Sequence, residues 1–139
     1  MNMSGITELK QILNQLEPEL SDREFVFCTF KDQLYGDLSQ LNPVATVQEA
    51  EGLSLVIEKD IAQANGIAFE SGFRRITLNV YSSLEAVGLT AAVAGLLAAQ
   101  DISANLIAGY FHDHIFVPAS RAEEALALLD KLGTGANTG

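Results

Sequence analysis

The chain has 139 residues, of which 48% are hydrophobic and 19% are charged, which is typical of one ordinary globular domain or two very small ones. Its 18 acidic and 8 basic residues give a net charge of −10, which argues against nucleic acid or an anionic membrane surface as a partner. The single cysteine excludes an internal disulfide, and the first residues lack the pattern of a secretory signal, so we expect a cytoplasmic protein.

The chain begins with a predicted helix and a predicted strand. Apolar residues from Ile6 to Leu16 recur at helical spacing, and Pro18 stops the pattern. The β-branched and aromatic run from Glu24 to Phe30 predicts a strand. Cys28 lies within that run, which favours a core residue over a nucleophile. Residues 31–42 show no clean period, so we expect a loop or an irregular helix there.

A hairpin and a short helix complete the first half. Two strand-like runs between Val44 and Lys59 flank the pair Glu51 and Gly52, and glycine accepts the positive φ that such turns often need. Asp60 to Asn65 predicts a short helix with Gly66 at its C-terminal end.

The second half predicts strand, helix, strand, strand and helix. The alternation from Phe73 to Val80 predicts a strand that buries Ile76, Leu78 and Val80. A long helix follows, and its start carries a capping-box pattern. Two further strands and a last helix, which also starts with a capping-box pattern, complete the order. The predicted ranges are Ser82–Gln100 for the long helix, Ile102–Phe111 and His114–Ala119 for the strands, and Ser120–Gly133 for the last helix.

The two halves have matching element orders, which suggests a duplication. Helices that alternate with hairpin-linked strands favour an α+β, ferredoxin-like arrangement with antiparallel sheets and helices packed on one face. We therefore predict units at residues 1–70 and 71–133, followed by a flexible tail at 134–139. Each half alone is one strand short of that fold, so we expect the halves to lend elements to each other.

The long helix of the second half is nearly uncharged. Within residues 84–100 the polar side chains are Glu85, Thr90 and Gln100, and the rest are Ala, Gly, Val and Leu. A helix on the surface of a single sheet needs one polar face, so this helix is expected to be covered on more than one side. Either the first half of the chain or a second subunit supplies the cover. Residues 86–100 carry no charge, and these fifteen residues are too few to span a bilayer.

Residues Tyr81 to Val117 resemble an ACT domain. The resemblance rests on a strand that turns into a helix with an early glycine and hydrophobic pair, here Gly88 and Leu89, and on the segment ISANLI from Ile102 to Ile107. That segment is similar to the second strand of aspartate kinase regulatory domains. A hairpin strand and a helix then follow in the same order as in an ACT unit.

Further segments extend the resemblance to most of the chain. EAEGLSLV from Glu49 to Val56 and AGYFHDHIFVP from Ala108 to Pro118 are similar to segments of small bacterial proteins made of two tandem ACT-like units. The resemblance implies ferredoxin-like βαββαβ units that pair side by side, with an amino acid bound at an interface between units. We also expect a homo-oligomer, most simply a dimer, formed through helix 84–100 or the strand beside it.

The predicted ligand-binding residues fall into three groups. The strand-to-helix segment would hold a carboxylate with its free backbone N–H groups, although its serine and glutamate also serve as plain helix caps. In a paired ACT arrangement the following strand would reach the ligand, and an acidic hairpin turn would hold an amino group, although both are also ordinary surface features. These groups are Ser82, Ser83, Leu84, Glu85, Val87, Gly88 and Leu89; Asn105 and Ile107; and Glu49 and Glu51.

The sequence His112, Asp113 and His114 suggests a different chemistry. Residues two apart in a strand share a face, so both imidazoles would meet one metal ion if the turn keeps that alternation. A closed zinc site takes four ligands, so acidic residues would have to complete it. The simpler interpretation, which we favour, is a turn in which Asp113 makes the bend and His114 packs beside Phe116.

These patterns favour a non-catalytic regulatory module that binds a small molecule and needs no cofactor. No phosphate-binding glycine loop and no Gly-Xaa-Ser-Xaa-Gly motif is present. Two alternatives remain open at this point: a small metal-assisted enzyme that uses His112 and His114, and an assembly adaptor that binds no ligand.

Overall fold

The computed structural model describes residues 16–79 and 88–138, with side chains described as far as residue 132. Its strands and helices follow the predicted order in both halves. The strands are β1 (Pro18–Phe30), β2 (Ala45–Glu49), β3 (Gly52–Glu58), β4 (Phe73–Leu78), β5 (Asn105–Ala108) and β6 (Asp113–Pro118). The helices are α1 (Lys59–Ala64), α2 (Gly88–Ala99) and α3 (Ala122–Thr138), with 3-10 turns at Ser39–Leu41 and Ala119–Arg121.

The chain forms two compact units that differ from the predicted halves. The inserted unit is Asp22–Phe73, and the terminal unit combines the chain up to Ser21 with the chain from Arg74 onward. Leu16 belongs to the hydrophobic core of the terminal unit, so the N-terminal segment contributes to the unit built mainly from the second half. The division into 1–70, 71–133 and a tail at 134–139 stays a prediction.

The inserted unit contains the strands β2, β3 and the part of β1 from Asp22 onward, in that order. Both pairings are antiparallel, with Thr46 opposite Leu55 and Cys28 also opposite Leu55. One face of these strands forms a core that α1 joins through its buried Ala62. The other buried members of this core are Val26, Cys28, Leu41, Leu53, Leu55 and Ile57.

Gly52 begins β3 at the predicted turn, and its φ of +153° agrees with the expected need for glycine. A Cβ atom at this position would lie 2.5 Å from the backbone oxygen of Phe30. The short helix α1 also ends as predicted, with Gly66 at a φ of +65° shortly after its last residue.

The terminal unit contains β4, β6 and β5 in that order, with α2 and α3 on its core face. Ile76 and Leu78 of β4 are buried as predicted, whereas Val80 lies outside the described residues. β5 and β6 pair antiparallel, with Asn105 opposite Phe116 and Ile107 opposite His114. The core is formed by Ile76, Leu78, Ile115 and Val117 from the strands and by Leu89, Val93, Leu97, Ala122, Ala125 and Leu129 from the helices.

Several predicted boundaries were wrong. β1 begins at Pro18, six residues before the predicted start, because proline is tolerated as the first residue of a strand. α3 begins at Ala122, after a 3-10 turn that contains Ser120, and it continues beyond Gly133 to Thr138. A helix interior tolerates glycine at a cost of about 1 kcal/mol, so Gly133 did not have to end it. The helix predicted from Ile6 to Leu16 lies almost entirely outside the described residues.

Only one stripe of α2 is buried within the described chain. Leu89, Val93 and Leu97 are buried at spacings of four residues, as one face of a helix requires. The opposite side is exposed and carries the small residues Ala91, Gly95, Ala98 and Ala99 beside Thr90. The second cover that the uncharged composition predicts is therefore not supplied by the parts of the chain that the structure describes.

Candidate functional site

Most of the predicted carboxylate-binding segment cannot be placed. Ser82, Ser83, Leu84, Glu85 and Val87 lie outside the described residues. The remaining two residues of the segment begin α2. Gly88 is half-buried and is the first residue of α2 that the structure describes, and Leu89 is buried in the core of the terminal unit. The side chain of Leu89 therefore packs in the protein interior, and only its backbone remains a candidate for ligand contact.

Asn105 and Ile107 lie on the face of β5 that points away from the helices. Their partners across the hairpin are Phe116 and His114, which alternate with the core residues of β6. Asn105 is exposed, and its side-chain amide donates a long hydrogen bond of 3.4 Å to the backbone oxygen of Phe116. This bond holds the amide at the surface of the strand.

His114 lies on the same face, half-buried, and contacts β4. Its Nδ1 atom is 2.9 Å from the hydroxyl oxygen of Thr77. Burial lowers the pKa of His114, and the neighbouring positive charges of Arg75 and His112 lower it further, while Asp113 opposes them. The imidazole is therefore expected to be neutral at pH 7. Its position on the strand, beside the predicted ligand-binding residue Ile107, extends the candidate surface.

The simpler interpretation of the two histidines predicted that Asp113 makes the bend between β5 and β6. This prediction was wrong. Asp113 is paired with Ala108 in the ladder, and the loop consists of residues 109–112. The backbone N–H of Gly109 donates to the backbone oxygen of His112 over 2.9 Å, which closes the loop. The predicted strand Ile102–Phe111 is correspondingly shorter, because its last residues form this loop.

The loop exposes two aromatic side chains, Tyr110 and Phe111, whose rings meet edge to face with centroids 5.2 Å apart. His112 belongs to the same exposed loop, whereas His114 is part of the strand. Among the residues that the structure describes, no group of three or more His, Cys, Asp or Glu side chains is arranged to hold a metal ion.

The acidic turn predicted to hold an amino group is exposed at the β2–β3 hairpin. Glu49 ends β2 opposite Gly52, and its carboxylate accepts a hydrogen bond from the Ser54 hydroxyl. Glu51 lies in the turn itself. Both residues belong to the inserted unit, whereas Asn105 and Ile107 belong to the terminal unit.

A groove of about 420 Å³ opens on the inserted unit. It lies between the irregular connection after β1 and the strands β2 and β3, and its lining includes Tyr35, Ser39, Asn42, Thr46, Leu53 and Leu55. The sequence did not predict this groove, because residues 31–42 carry no periodic pattern that would indicate what they cover. Cys28 lies elsewhere in the same core, where burial raises the pKa of its thiol, as expected for a packing residue.

Two family models match the sequence in tandem. An ACT domain model matches residues 4–74, and a second ACT domain model matches residues 70–131. The chain belongs to the ACT domain family. The strand, helix, strand, strand, helix order of the terminal unit is the ferredoxin-type fold of this family, so the predicted fold class is confirmed.

Solved structures agree with this assignment. A Vibrio cholerae protein of unknown function, described as a possible transport protein, is 47% identical, with 93% of this chain and 98% of that chain covered and a TM-score of 0.84. The regulatory subunit of aspartate kinase from Thermus flavus is 12% identical, with 83% and 95% covered and a TM-score of 0.60. A protein from Agrobacterium tumefaciens is 13% identical, with 85% and 89% covered and a TM-score of 0.70. The last two show the shared fold alone.

No curated protein matches the sequence. Within the described residues, no helix of this ACT domain protein has the length and apolar character needed to cross a membrane.

Proposed function

We propose that this ACT domain protein is a regulatory module that binds an α-amino acid. The observation that carries the proposal is the tandem match to two ACT domains over residues 4–131, since domains of this family generally bind small regulatory ligands. Binding would act by favouring one conformation or association state of the protein, which requires no chemistry on the ligand.

The terminal unit offers the chemistry that an amino acid needs. The carboxylate would lie at the segment leading into α2, where the first backbone N–H groups of a helix and its dipole stabilise a negative charge. Gly88, the first described residue of that helix, presents no side chain to obstruct the ligand. The exposed amide of Asn105 on β5 would contribute a hydrogen bond. The net charge of −10 favours a ligand that carries an ammonium group over a purely anionic one.

A second copy of the chain is the proposed partner of α2. The exposed side of this helix is uncharged and consists of small residues, which allow a second backbone to approach closely. Leaving that surface in water would favour non-specific association. We therefore propose a homodimer whose interface includes the exposed face of α2, and its test is given in the Discussion.

A thermal-shift screen tests the ligand proposal. The twenty amino acids, each at millimolar concentration, would be compared with matched blanks and with divalent metal ions. A ligand at 100 times its dissociation constant stabilises the folded state by about 2.7 kcal/mol, which raises the Tm of a domain of this size by several degrees.

Two variants that introduce a valine make the screen specific. Gly88→Val is expected to abolish the shift, because its side chain would obstruct the segment that leads into α2. Ala127→Val is the control, since Ala127 is exposed on α3 and belongs to neither the proposed ligand site nor the proposed dimer interface. If no amino acid raises the Tm, the ligand proposal is wrong. Stabilisation by metal ions alone would instead favour the enzyme alternative based on His112 and His114.

A further inference from the structure

The irregular connection of the inserted unit occupies the place in the element order that α2 has in the terminal unit. In the terminal unit β4 is followed by α2, which supplies three buried residues to the core. In the inserted unit β1 is followed by residues 31–44, whose only helical part is the 3-10 turn Ser39–Leu41 with one buried residue, Leu41. Three residues cover less of a sheet than twelve, and the groove of about 420 Å³ lies beside this turn.

The floor of the groove is apolar, and its sides carry a few polar groups. Leu53 and Leu55 of β3 belong to the core of the inserted unit, and Thr46 lies on the same face because it is paired with Leu55. Ser39 and Asn42 contribute a hydroxyl and an amide from the connection. No residue that lines the groove carries a charge.

Tyr35 and Gly36 form one wall of the groove, and hydrogen bonds hold the turn Leu34–Asp37 to which they belong. The backbone N–H of Leu34 donates to the Asp37 carboxylate over 2.7 Å, and the N–H of Asp37 returns a bond of 3.0 Å to the backbone oxygen of Leu34. Gly36 completes this turn with a φ of +94°. The turn is therefore closed by two reciprocal bonds before any ligand arrives.

A second pair of bonds ties the same turn to β2. The N–H of Tyr35 donates to the side-chain oxygen of Gln48 over 2.8 Å, and the Gln48 amide donates to the backbone oxygen of Gln33 over 3.2 Å. The ring of Tyr35 remains 78% exposed at the edge of the groove. A wall held in this way loses little entropy when a ligand binds, and the aromatic ring offers a surface for stacking.

We propose that this groove binds an uncharged small molecule with a flat apolar body and one or two hydrogen-bonding groups. Its volume falls within the range of about 300–1,000 Å³ that is usual for small-molecule sites. The exposed apolar surface of Tyr35 and Val44 along the groove gains from burial, and the hydroxyls and the amide orient the polar end. This site lies entirely within the inserted unit and does not depend on the amino-acid site proposed for the terminal unit.

The charge distribution selects a neutral ligand. The inserted unit contains nine acidic and three basic residues between Asp22 and Phe73, so its potential repels anions. A cation would enter a groove whose lining contains no carboxylate, and an unpaired charge is costly to transfer from water to an apolar site. A neutral ring system with a single hydrogen-bond donor is not repelled by the acidic unit and carries no charge that must be desolvated.

Three related probes test the class of ligand. Indole is neutral, indole-3-acetate is an anion and tryptamine is a cation, and all three share one ring system. Each would be titrated into the ¹⁵N-labelled full chain while amide chemical shifts are recorded. We expect indole to shift the amides of Thr46, Leu53 and Leu55 saturably, and both charged probes to bind at least tenfold more weakly. Equal binding of the three probes would overturn the proposed class.

Variants on the two faces of β2 test the location. Thr46→Phe fills the groove and is expected to abolish the indole-induced shifts. Val47→Phe is the matched control, because Val47 is exposed on the opposite face of the same strand, and it is expected to bind indole as the wild type does. Ser39→Trp is a second filling variant on the exposed 3-10 turn, used if Thr46→Phe does not fold by circular dichroism.

The proposal is wrong if indole shifts no groove amide at millimolar concentration. It is also wrong if a folded filling variant binds indole as tightly as the wild type. The amide shifts are read within the inserted unit, whereas the amino-acid proposal is tested by the thermal shift and its loss in Gly88→Val, so the two proposals can fail independently.

Discussion

The hydroxyl oxygen of Thr77 lies 2.9 Å from Nδ1 of His114 and joins β4 to β6 on the face of the terminal unit opposite its core. A neutral imidazole with an unprotonated Nδ1 accepts a hydrogen bond from this hydroxyl. Protonation would remove that acceptor and would place a positive charge on a half-buried ring near Arg75. The contact therefore links the stability of the terminal unit to pH.

We predict that the free energy of unfolding decreases as the pH falls below about 6.5, the ordinary histidine pKa. The pKa of His114 is lowered in the folded protein, so the unfolded chain binds the proton more readily. The stabilising contribution is therefore complete above the unfolded pKa, and it is lost as the pH falls from that value to the folded pKa. Urea unfolding between pH 7.5 and 5 measures this dependence.

His114→Gln is expected to remove most of the pH dependence between those limits. His112→Gln is the matched control, because its exposed side chain belongs to the loop and lacks the contact with Thr77. A wild-type slope that persists in His114→Gln would show that other groups, such as the many carboxylates, cause it.

The β2–β3 turn provides a second prediction, which compares two glycines with positive φ. Gly52→Ala is expected to cost about 2–4 kcal/mol of unfolding free energy, because its Cβ would lie 2.5 Å from the backbone oxygen of Phe30. Gly66→Ala is expected to cost about 1 kcal/mol, since its left-handed backbone is strained but its surroundings are open. Equal losses for the two variants in urea unfolding would contradict the steric argument.

Alternation and turn chemistry made much of the fold predictable from the sequence. Ile76 and Leu78 could be assigned to the core from the period of two, and Gly52 could be assigned to a turn from its position between two strand-like runs. Both signals are local. They depend on the residues themselves and their immediate neighbours, so no tertiary information was required.

Features set by non-local contacts could not be predicted in the same way. Tyr110 and Phe111 continue an apolar strand-like run, but the bond between Gly109 and His112 takes them out of the ladder. The groove beside Ser39 lies between the irregular connection and the strands β2 and β3, and its shape depends on how the connection packs. The candidate ligand residues on β5 could be named from the family resemblance. The contact between Thr77 and His114 could not be predicted, because it depends on how β4 and β6 lie side by side.

The core of the terminal unit gives a third prediction. Leu97→Ala is expected to reduce the unfolding free energy by about 2–5 kcal/mol, because Leu97 is completely buried against the strands and its removal leaves a cavity. Leu96→Ala is the control in the next position of the same helix. Leu96 is only partly buried, so its loss is expected to be clearly smaller. A larger loss of unfolding free energy for Leu96→Ala than for Leu97→Ala would imply that a second protein chain covers Leu96.

The exposed face of α2 gives the last prediction, which tests the proposed homodimer. Ala91→Glu combined with Ala98→Glu places two carboxylates on the small-residue side of the helix, about two turns apart. If a second copy covers this side, each charge must be desolvated without a partner, and the dimer dissociation constant is expected to rise at least tenfold. Sedimentation velocity over a range of concentrations measures that change.

Ala127→Glu is the matched control, because it makes the same substitution at an exposed position of α3. It is expected to leave the dimer intact. Circular dichroism should give the same helix content for all three proteins, since glutamate is a good helix former and none of the positions is buried within the chain. A wild-type monomer at all concentrations would refute the dimer. A dimer that survives in the double variant would instead place the interface elsewhere, and the exposed small residues of α2 would then have to be explained by a different partner.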